Sequence, residues 1–562
     1  EAWPDAGTAD ELHDALVWLG FMPADEARSQ PHWPELVAEL AAARRAARLG
    51  PNGPDLWVAA ERLPHFRALW SDVRPEPAIT APAQYENQAW TREAALVEIL
   101  RGRLEGLGPV SPADLARPLW MGADDVATPL MALEGEGFAM RGRFTPGAST
   151  EEWCERRLLA RINRYTIKRL RAEIEPVSPG DFMRFLLAWQ GVAAESRMEG
   201  PKSLDRVLAT LEGFEAPAGA WESELLPVRI GDYEPEWLDD RCRAGQTIWT
   251  RLRPRAARVG GAEGKAAPVR TTPITLIARR DAALWTSLAP APDASGLSAP
   301  AQAVADCIRA QGASFFDDLL DGTGLLRTQL EEALAELVAQ GLVTSDSFGG
   351  LRALLVPSGE RRPTGGARRR RRISPHDMAD AGRWALVRRP AEPPAGASNP
   401  AVEQVARTLL RRYGVVFWRL LEREAPWLPP WRDLLRVFRK LESRGDIRGG
   451  RFVAGFSGEQ YALPEAIGNL RETRRQKPAD QWVVVSGADP LNLCGILTPG
   501  PKLPVLTGNR LLYNDGAPIA LMASGEVRFL VDLDASTQWR ARKALLRAPG
   551  VDEREPAHSS HA

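Results

Sequence analysis

Three times along the 562-residue chain an amphipathic helical pattern stops at a glycine and gives way to a short β-hairpin pattern. The copies are Leu133-Glu-Gly-Glu-Gly137-Phe138 before Met140-Arg-Gly-Arg-Phe144, Leu337-Val-Ala-Gln-Gly341-Leu342-Val343 before Phe348-Gly-Gly-Leu-Arg-Ala-Leu354, and Leu441-Glu-Ser-Arg-Gly445-Asp-Ile447 before Gly450-Arg-Phe-Val-Ala454. Glycine suits the left-handed position just past a helix end. Two further helical segments precede each copy: 92–107 and 111–119, 299–310 and 315–320, 401–413 and 417–424. Ser111 is placed as an N-cap, with Pro112 at the first helical position. Helix, helix, helix, hairpin is a winged-helix pattern.

Two less regular copies extend the series. Residues 9–20 and 33–49 read as helices before a strand at 56–60. Residues 151–173, 179–193 and 201–213 read as helices before strands at 225–230 and 247–252. Short apolar runs at 482–486, 505–507, 510–513, 519–522 and 527–533, with Asn514-Asp515-Gly516 as a hairpin turn, suggest a small barrel. The expected fold class is α+β, mostly α: a tandem array of about five winged-helix modules with a small C-terminal β-barrel. The modules fall at 1–80, 88–150, 151–255, 270–356 and 399–468. An Arg- and Pro-rich linker is expected at 357–398, the barrel at 480–545 and a tail at 546–562.

Composition narrows the function. The 73 acidic and 72 basic residues leave a net charge of -1, which rules out a uniformly basic nucleic-acid coat but not basic faces offset by acidic ones. No C-x-x-C pair joins Cys154, Cys242, Cys307 and Cys494, and the histidines form no ligand cluster, so no metal site is expected. No apolar run of about 18 residues exists, so no membrane span is expected. Free thiols and the lack of a signal peptide point to the cytoplasm. The first residue is Glu1, not Met, which suggests a piece of a longer polypeptide. Gly260-Gly-Ala-Glu-Gly-Lys265 lacks P-loop spacing, and Ala266 stands where a magnesium-binding hydroxyl would be, so no ATP or Mg site is expected in this chain.

Two basic clusters stand out. Segment 151–171 carries Arg156, Arg157, Arg161, Arg164, Lys168, Arg169 and Arg171. The recognition-helix position of the last module carries Arg432, Arg436, Arg439, Lys440 and Arg444, with Arg448 and Arg451 in its wing. Recognition helices and wings are where such folds meet phosphates and groove edges. The competing reading is a solvated face with i,i+4 ion pairs such as Glu152–Arg156. Helix 123–136 carries Asp124, Asp125, Glu134 and Glu136, with Pro129 inside. Helix 327–340 carries Glu331, Glu332 and Glu336. Acidic helices repel phosphate, so these read as spacers or protein–protein surfaces, leaving Arg141 and Arg143 as possible wing contacts. The arginine run at 368–372 reads as a tether. In the barrel, Asp489, Asp532 and Asp534 are candidate catalytic carboxylates for base excision, or simply turn and cap residues.

Trp153-Cys154-Glu-Arg-Arg-Leu-Leu-Ala-Arg-Ile-Asn-Arg-Tyr-Thr, running into Ile174-Glu-Pro-Val-Ser-Pro-Gly-Asp-Phe-Met-Arg-Phe-Leu-Leu187, resembles the large helicase-related (Lhr) family of bacterial DNA repair helicases. So do Leu56-Trp-Val-Ala-Ala-Glu-Arg-Leu-Pro64, Glu459-Gln-Tyr-Ala-Leu-Pro-Glu-Ala466 and Gly487-Ala-Asp-Pro-Leu-Asn-Leu-Cys-Gly-Ile-Leu497. The resemblance implies the family's C-terminal region, a string of winged helices with a β-barrel that forms homo-oligomers, as tetramers. It implies partners: single-stranded DNA or an RNA–DNA hybrid, and a 3′-to-5′ helicase core of the same polypeptide that binds ATP and Mg. It also implies a possible uracil or damaged-base glycosylase activity. The Gln-x-Gln signature of related crosslink glycosylases is not visible in 482–540.

Overall fold

A computed structural model describes residues 3–50, 54–172, 174–253, 269–292, 294, 296–355, 378, 382–389 and 400–547. The arginine run at 368–372, the glycine-rich segment 260–265 and the tail beyond 547 lie outside the described residues. No described helix is long and apolar enough to cross a membrane. The chain divides into two compact units, Glu1–Arg169 and Leu170–Ala562.

In the first unit, helix Ala9–Leu19 starts at a reciprocal cap between Thr8 and Glu11. Helix Trp33–Ala42 stops earlier than its pattern suggested. Ala46–Leu49, expected to be helical, is a strand whose apolar residues are buried beside Leu56–Ala59. Helices Arg92–Gly106, Pro112–Ala116 and Ala123–Gly135 follow, then a hairpin of Ala139–Gly142 with Glu152–Glu155. Residues 152–155, expected to open a helix, are therefore the second hairpin strand. The helix Ala123–Gly135 runs through Pro129 and is followed by Gly137 at φ 74°. Gly102 lets two helices touch: a β-carbon there would meet the Trp18 carbonyl at 2.6 Å.

One order of elements recurs at 9–59, 92–155, 203–278, 299–386 and 400–462. It is a helix, a short bridging segment, two more helices and a hairpin, with the bridging segment paired to the second hairpin strand. In the last copy the sheet order is Val415–Val416, Gln460–Ala462, Arg448–Gly450. Leu434, Phe438 and Leu441 of helix Trp431–Arg444 are buried beneath it, with Phe438 stacked on Tyr461 at 5.2 Å.

Three expectations shift. The third copy begins at Ser203–Leu211 and its last helix is Pro235–Arg243, while Pro179–Trp189 packs instead on helix Pro464–Arg475. Segment 225–229 is helical, not a strand, and only Ile230 is extended, bridging to Met198: Pro227 sits in the first turn of Leu226–Arg229, where its fixed φ favours a helix. Phe348–Leu355 is a helix, not a wing strand. Phe348, Leu351 and Leu355 follow helical spacing, and Asp239 and Ser347 accept from the Gly349 N–H at its start. The real partner strand, Trp384–Leu386, lies inside the expected linker.

The expected barrel is, among the described residues, an open antiparallel sheet of Trp482–Ser486, Arg510–Asn514, Ala517–Ala523 and Glu526–Phe529, in that order. Residues 505–507 are not a strand. Asp515 and Gly516, at φ 46° and 80°, make the expected tight hairpin. One sheet face joins the large core through Val483, Val485, Leu511 and Tyr513, and helix Ala535–Leu546 covers the other. With both faces buried, closure is not needed to remove apolar surface from water.

Candidate nucleic-acid interface

Helix Trp431–Arg444 has one apolar side, and that side is buried. By helical spacing the opposite side must carry Arg432, Arg436, Arg439, Lys440 and Arg444, all exposed, with Arg448 and Arg451 exposed on the hairpin. Arg432 and Arg436 share the single carboxylate of Asp433 at 3.4 and 3.2 Å. Arg439 differs: it forks onto Glu459 at 3.3 and 3.1 Å, and this bond holds its guanidinium above the ordinary range. The neighbouring Glu442 receives a fork from Arg171 at 2.9 and 2.6 Å, so the last turn of the basic segment is a structural tie, not a display.

Helix Arg156–Ala172 follows strand Glu152–Glu155 directly, and the Glu155 carboxylate accepts from the N–H groups of Arg157 and Leu158. Leu158 is its only buried residue. Arg156, Arg157, Arg161, Arg164 and Lys168 are exposed, with Tyr165 open at 66%. At its start, Trp18, Phe138, Arg156, Arg157 and Arg161 line a cavity of about 790 Å³ in the first unit. Glu105, Glu136 and Glu155 share this cavity, so it is mixed in charge.

A basic cleft near the hairpin was not anticipated. Arg471, Arg474 and Arg475 of helix Pro464–Arg475 line it over a floor of Val177, Phe452, Ile467 and Leu470, with Glu175 paired to Arg474. Their 3–4 residue spacing was the available signal.

The acidic helices use several carboxylates internally. Asp125 accepts from the Gly122 N–H at 2.8 Å, Glu136 pairs with Arg101 at 2.7 Å, and Glu336 accepts from the Ser298 N–H at 2.8 Å. Arg141 in the wing stands 3.6 Å from Glu151. Around these helices sit exposed apolar residues: Trp120, Met131 and Met140 in one module, Phe315 and Leu326 in the other.

The three aspartates do not converge. Asp489 is 1% exposed and grips the wholly buried Arg229 with two bonds, 2.7 and 2.9 Å. Arg229 also donates to Gln190 at 2.8 Å, and Arg423 donates to the Asp489 carbonyl at 2.7 Å. Burial pulls the Arg423 guanidinium down. Asp489 thus ties the sheet to 221–230 and 418–423. Asp534 caps helix Ala535–Leu546 through the N–H groups of Ser536 and Thr537. The Thr537 hydroxyl, then its N–H, holds that carboxyl below its usual range. Asp532 is exposed.

Winged-helix domains of the large helicase-related protein match residues 177–272 and 395–482. The chain is 28% identical over 479 residues to a Mycolicibacterium smegmatis protein named Lhr helicase/probable uracil glycosylase, covering 81% of this chain and 30% of that protein. It is 28% identical over 485 residues to an Escherichia coli protein named Lhr helicase/uracil glycosylase, covering 79% and 29%. The chain thus spans about a third of the length of these relatives. The DNA glycosylase AlkZ of Streptomyces sahachiroi overlaps 67% of this chain and 97% of its own, at 11% identity and a TM-score of 0.36.

Proposed function

Since the chain belongs to the large helicase-related family, we propose that it is the DNA-binding, oligomer-forming C-terminal region of a repair helicase. Its helicase core, with ATP and Mg, lies elsewhere in the polypeptide. All five recurring modules are read as winged helices. The observation that carries the proposal is the outward row Arg432, Arg436, Arg444, Arg448 and Arg451 on a matched winged helix whose inner side is packed. Helix Arg156–Ala172 adds a second basic surface, suited to single-stranded DNA or an RNA–DNA hybrid. Each phosphate contact on a single strand adds about 0.7 to the salt slope. Replacing Arg436, Arg444 and Arg451 together by Glu should lower that slope by about 2 and weaken binding. An unchanged slope would overturn the proposal.

The acidic modules, with Trp120, Met131, Phe315 and Leu326 exposed, supply the subunit contacts of a cytoplasmic homo-oligomer, a tetramer in this reading. A monomeric mass by light scattering at micromolar concentration would remove that part.

A second reading is favoured by the names of both relatives: excision of uracil from DNA. Incubation of the chain with uracil-containing single strands, then alkaline cleavage of abasic sites, tests it. No cleavage above a buffer control removes it. Among the three aspartates, Asp532 and Asp534 are the solvent-exposed ones.

A further inference from the structure

Helix Ala535–Leu546 buries Ala541 and Leu545 against Leu512, Ile519 and Met522 of the sheet. Its other side carries Trp539 at 64% exposure and Leu546 at 67%, with Arg542 and Lys543 between them, also exposed. The Trp539 ring therefore stands open to solvent on a helix whose apolar side is already packed. The basic residues gather over rings: Lys543 over Trp539 at 5.4 Å, Arg540 over Trp482 at 4.6 Å, and Arg542 over Phe529 at 5.5 Å. No acidic residue occurs from 535 to 547, and Asp534 sits at the N-cap, where the helix dipole favours it. Stacking uses the face of a guanidinium and leaves its in-plane N–H groups directed at an acceptor.

We propose that this helix is a separate platform for single-stranded nucleic acid, with Trp539 stacking on a base while Arg540, Arg542 and Lys543 hold the adjoining phosphates. An open ring among fixed cations suits a polyanion that also carries flat aromatic faces. A duplex hides its base faces, so it cannot use Trp539. A lipid surface would need the apolar side of the helix, which the sheet already covers. None of these residues belongs to the 431–451 surface, so the two sites succeed or fail separately.

Fluorescence anisotropy with the full chain, labelled oligothymidine and a blunt duplex of equal length tests the platform. Trp539→Ala should weaken oligothymidine binding roughly 5- to 150-fold, as expected for the loss of one stacked base. Duplex binding should stay within about twofold, and Trp539→Phe should restore most of the loss. Arg542→Glu with Lys543→Glu should lower the single-strand salt slope by about 1.4. Unchanged single-strand affinity in Trp539→Ala overturns the platform, even if reversals on 431–451 abolish binding. Equal losses on single strand and duplex overturn it as well. So does polyglutamate competing as well as oligothymidine at equal charge, which would make this a site for acidic protein.

Discussion

Arg229 is wholly buried and held by both oxygens of Asp489, whereas Arg432 and Arg436 stand 77% and 71% exposed and share one carboxylate. The groups are chemically the same. At the junction of 221–230 with 487–492 the guanidinium is wholly buried, so its charged partner is obligatory. On helix 431–444 solvent screens the pair, and the charge stays available to a phosphate. An arginine in the sequence therefore says little about an interface until its exposure is known. Arg171 and Arg439 fall between the extremes, each forked onto a glutamate.

The largest break in this comparison should come from Asp489→Ala, which leaves a buried cation unpaired. We expect about 3–5 kcal/mol of lost stability in denaturant unfolding, mostly recovered by pairing Arg229→Met with Asp489→Leu. A loss below about 1 kcal/mol would mean that the junction is as screened as the surface.

Next comes His65, a buried base in the first unit that is kept neutral. Burial, then the nearby Arg62 charge, pushes it down to about 4, and it lies 4.2 Å from the Trp90 ring. Its folded value lies below the unfolded one, so its contribution is complete above about 6.5 and fades as pH falls toward 4, by about 3 kcal/mol. Hydrogen exchange of helix Leu63–Leu69 across that range should show the loss, and His65→Phe should flatten it.

Smaller still in stability, the triple reversal at Arg436, Arg444 and Arg451 should stay within about 0.5 kcal/mol of the parent while DNA binding falls. The smallest effect belongs to Asp433→Ala. We expect a change of at most about 0.5 kcal/mol, with slightly tighter DNA binding as Arg432 and Arg436 lose their shared anion.

Much of the architecture was legible because inner helix faces and terminal glycines are local signals. Leu434, Phe438 and Leu441, followed by Gly445, specify a helix end without reference to anything distant. The failures came where local signals were ambiguous or the partner was remote. Segment 225–230 is too short for its period to decide, and 348–354, placed after a helix-ending glycine like the other two hairpins, read as a wing where Asp239 accepts from the start of a helix. Strand 384–386 pairs with 343–345 across an arginine-rich stretch that resembled a linker. Of the site, the exposed arginine row was legible from spacing alone. The role of Asp489 was not, because Arg229 stands 260 positions away. Trp539 was not legible, because it is one of nineteen tryptophans and nothing in its local sequence shows that it stands open.

The Arg229–Asp489 pair also decides where the polypeptide can be cut. By sequence, 480–545 looks like a detachable terminal domain. Trimming it would uncover the apolar residues that meet Val483, Val485 and Leu511, leave the buried Arg229 without its carboxylate, and remove the carbonyls that accept from Arg423. Fragments ending near 475 should therefore express as aggregates, and the shortest soluble piece carrying the 431–451 surface should run from about 170 to 547.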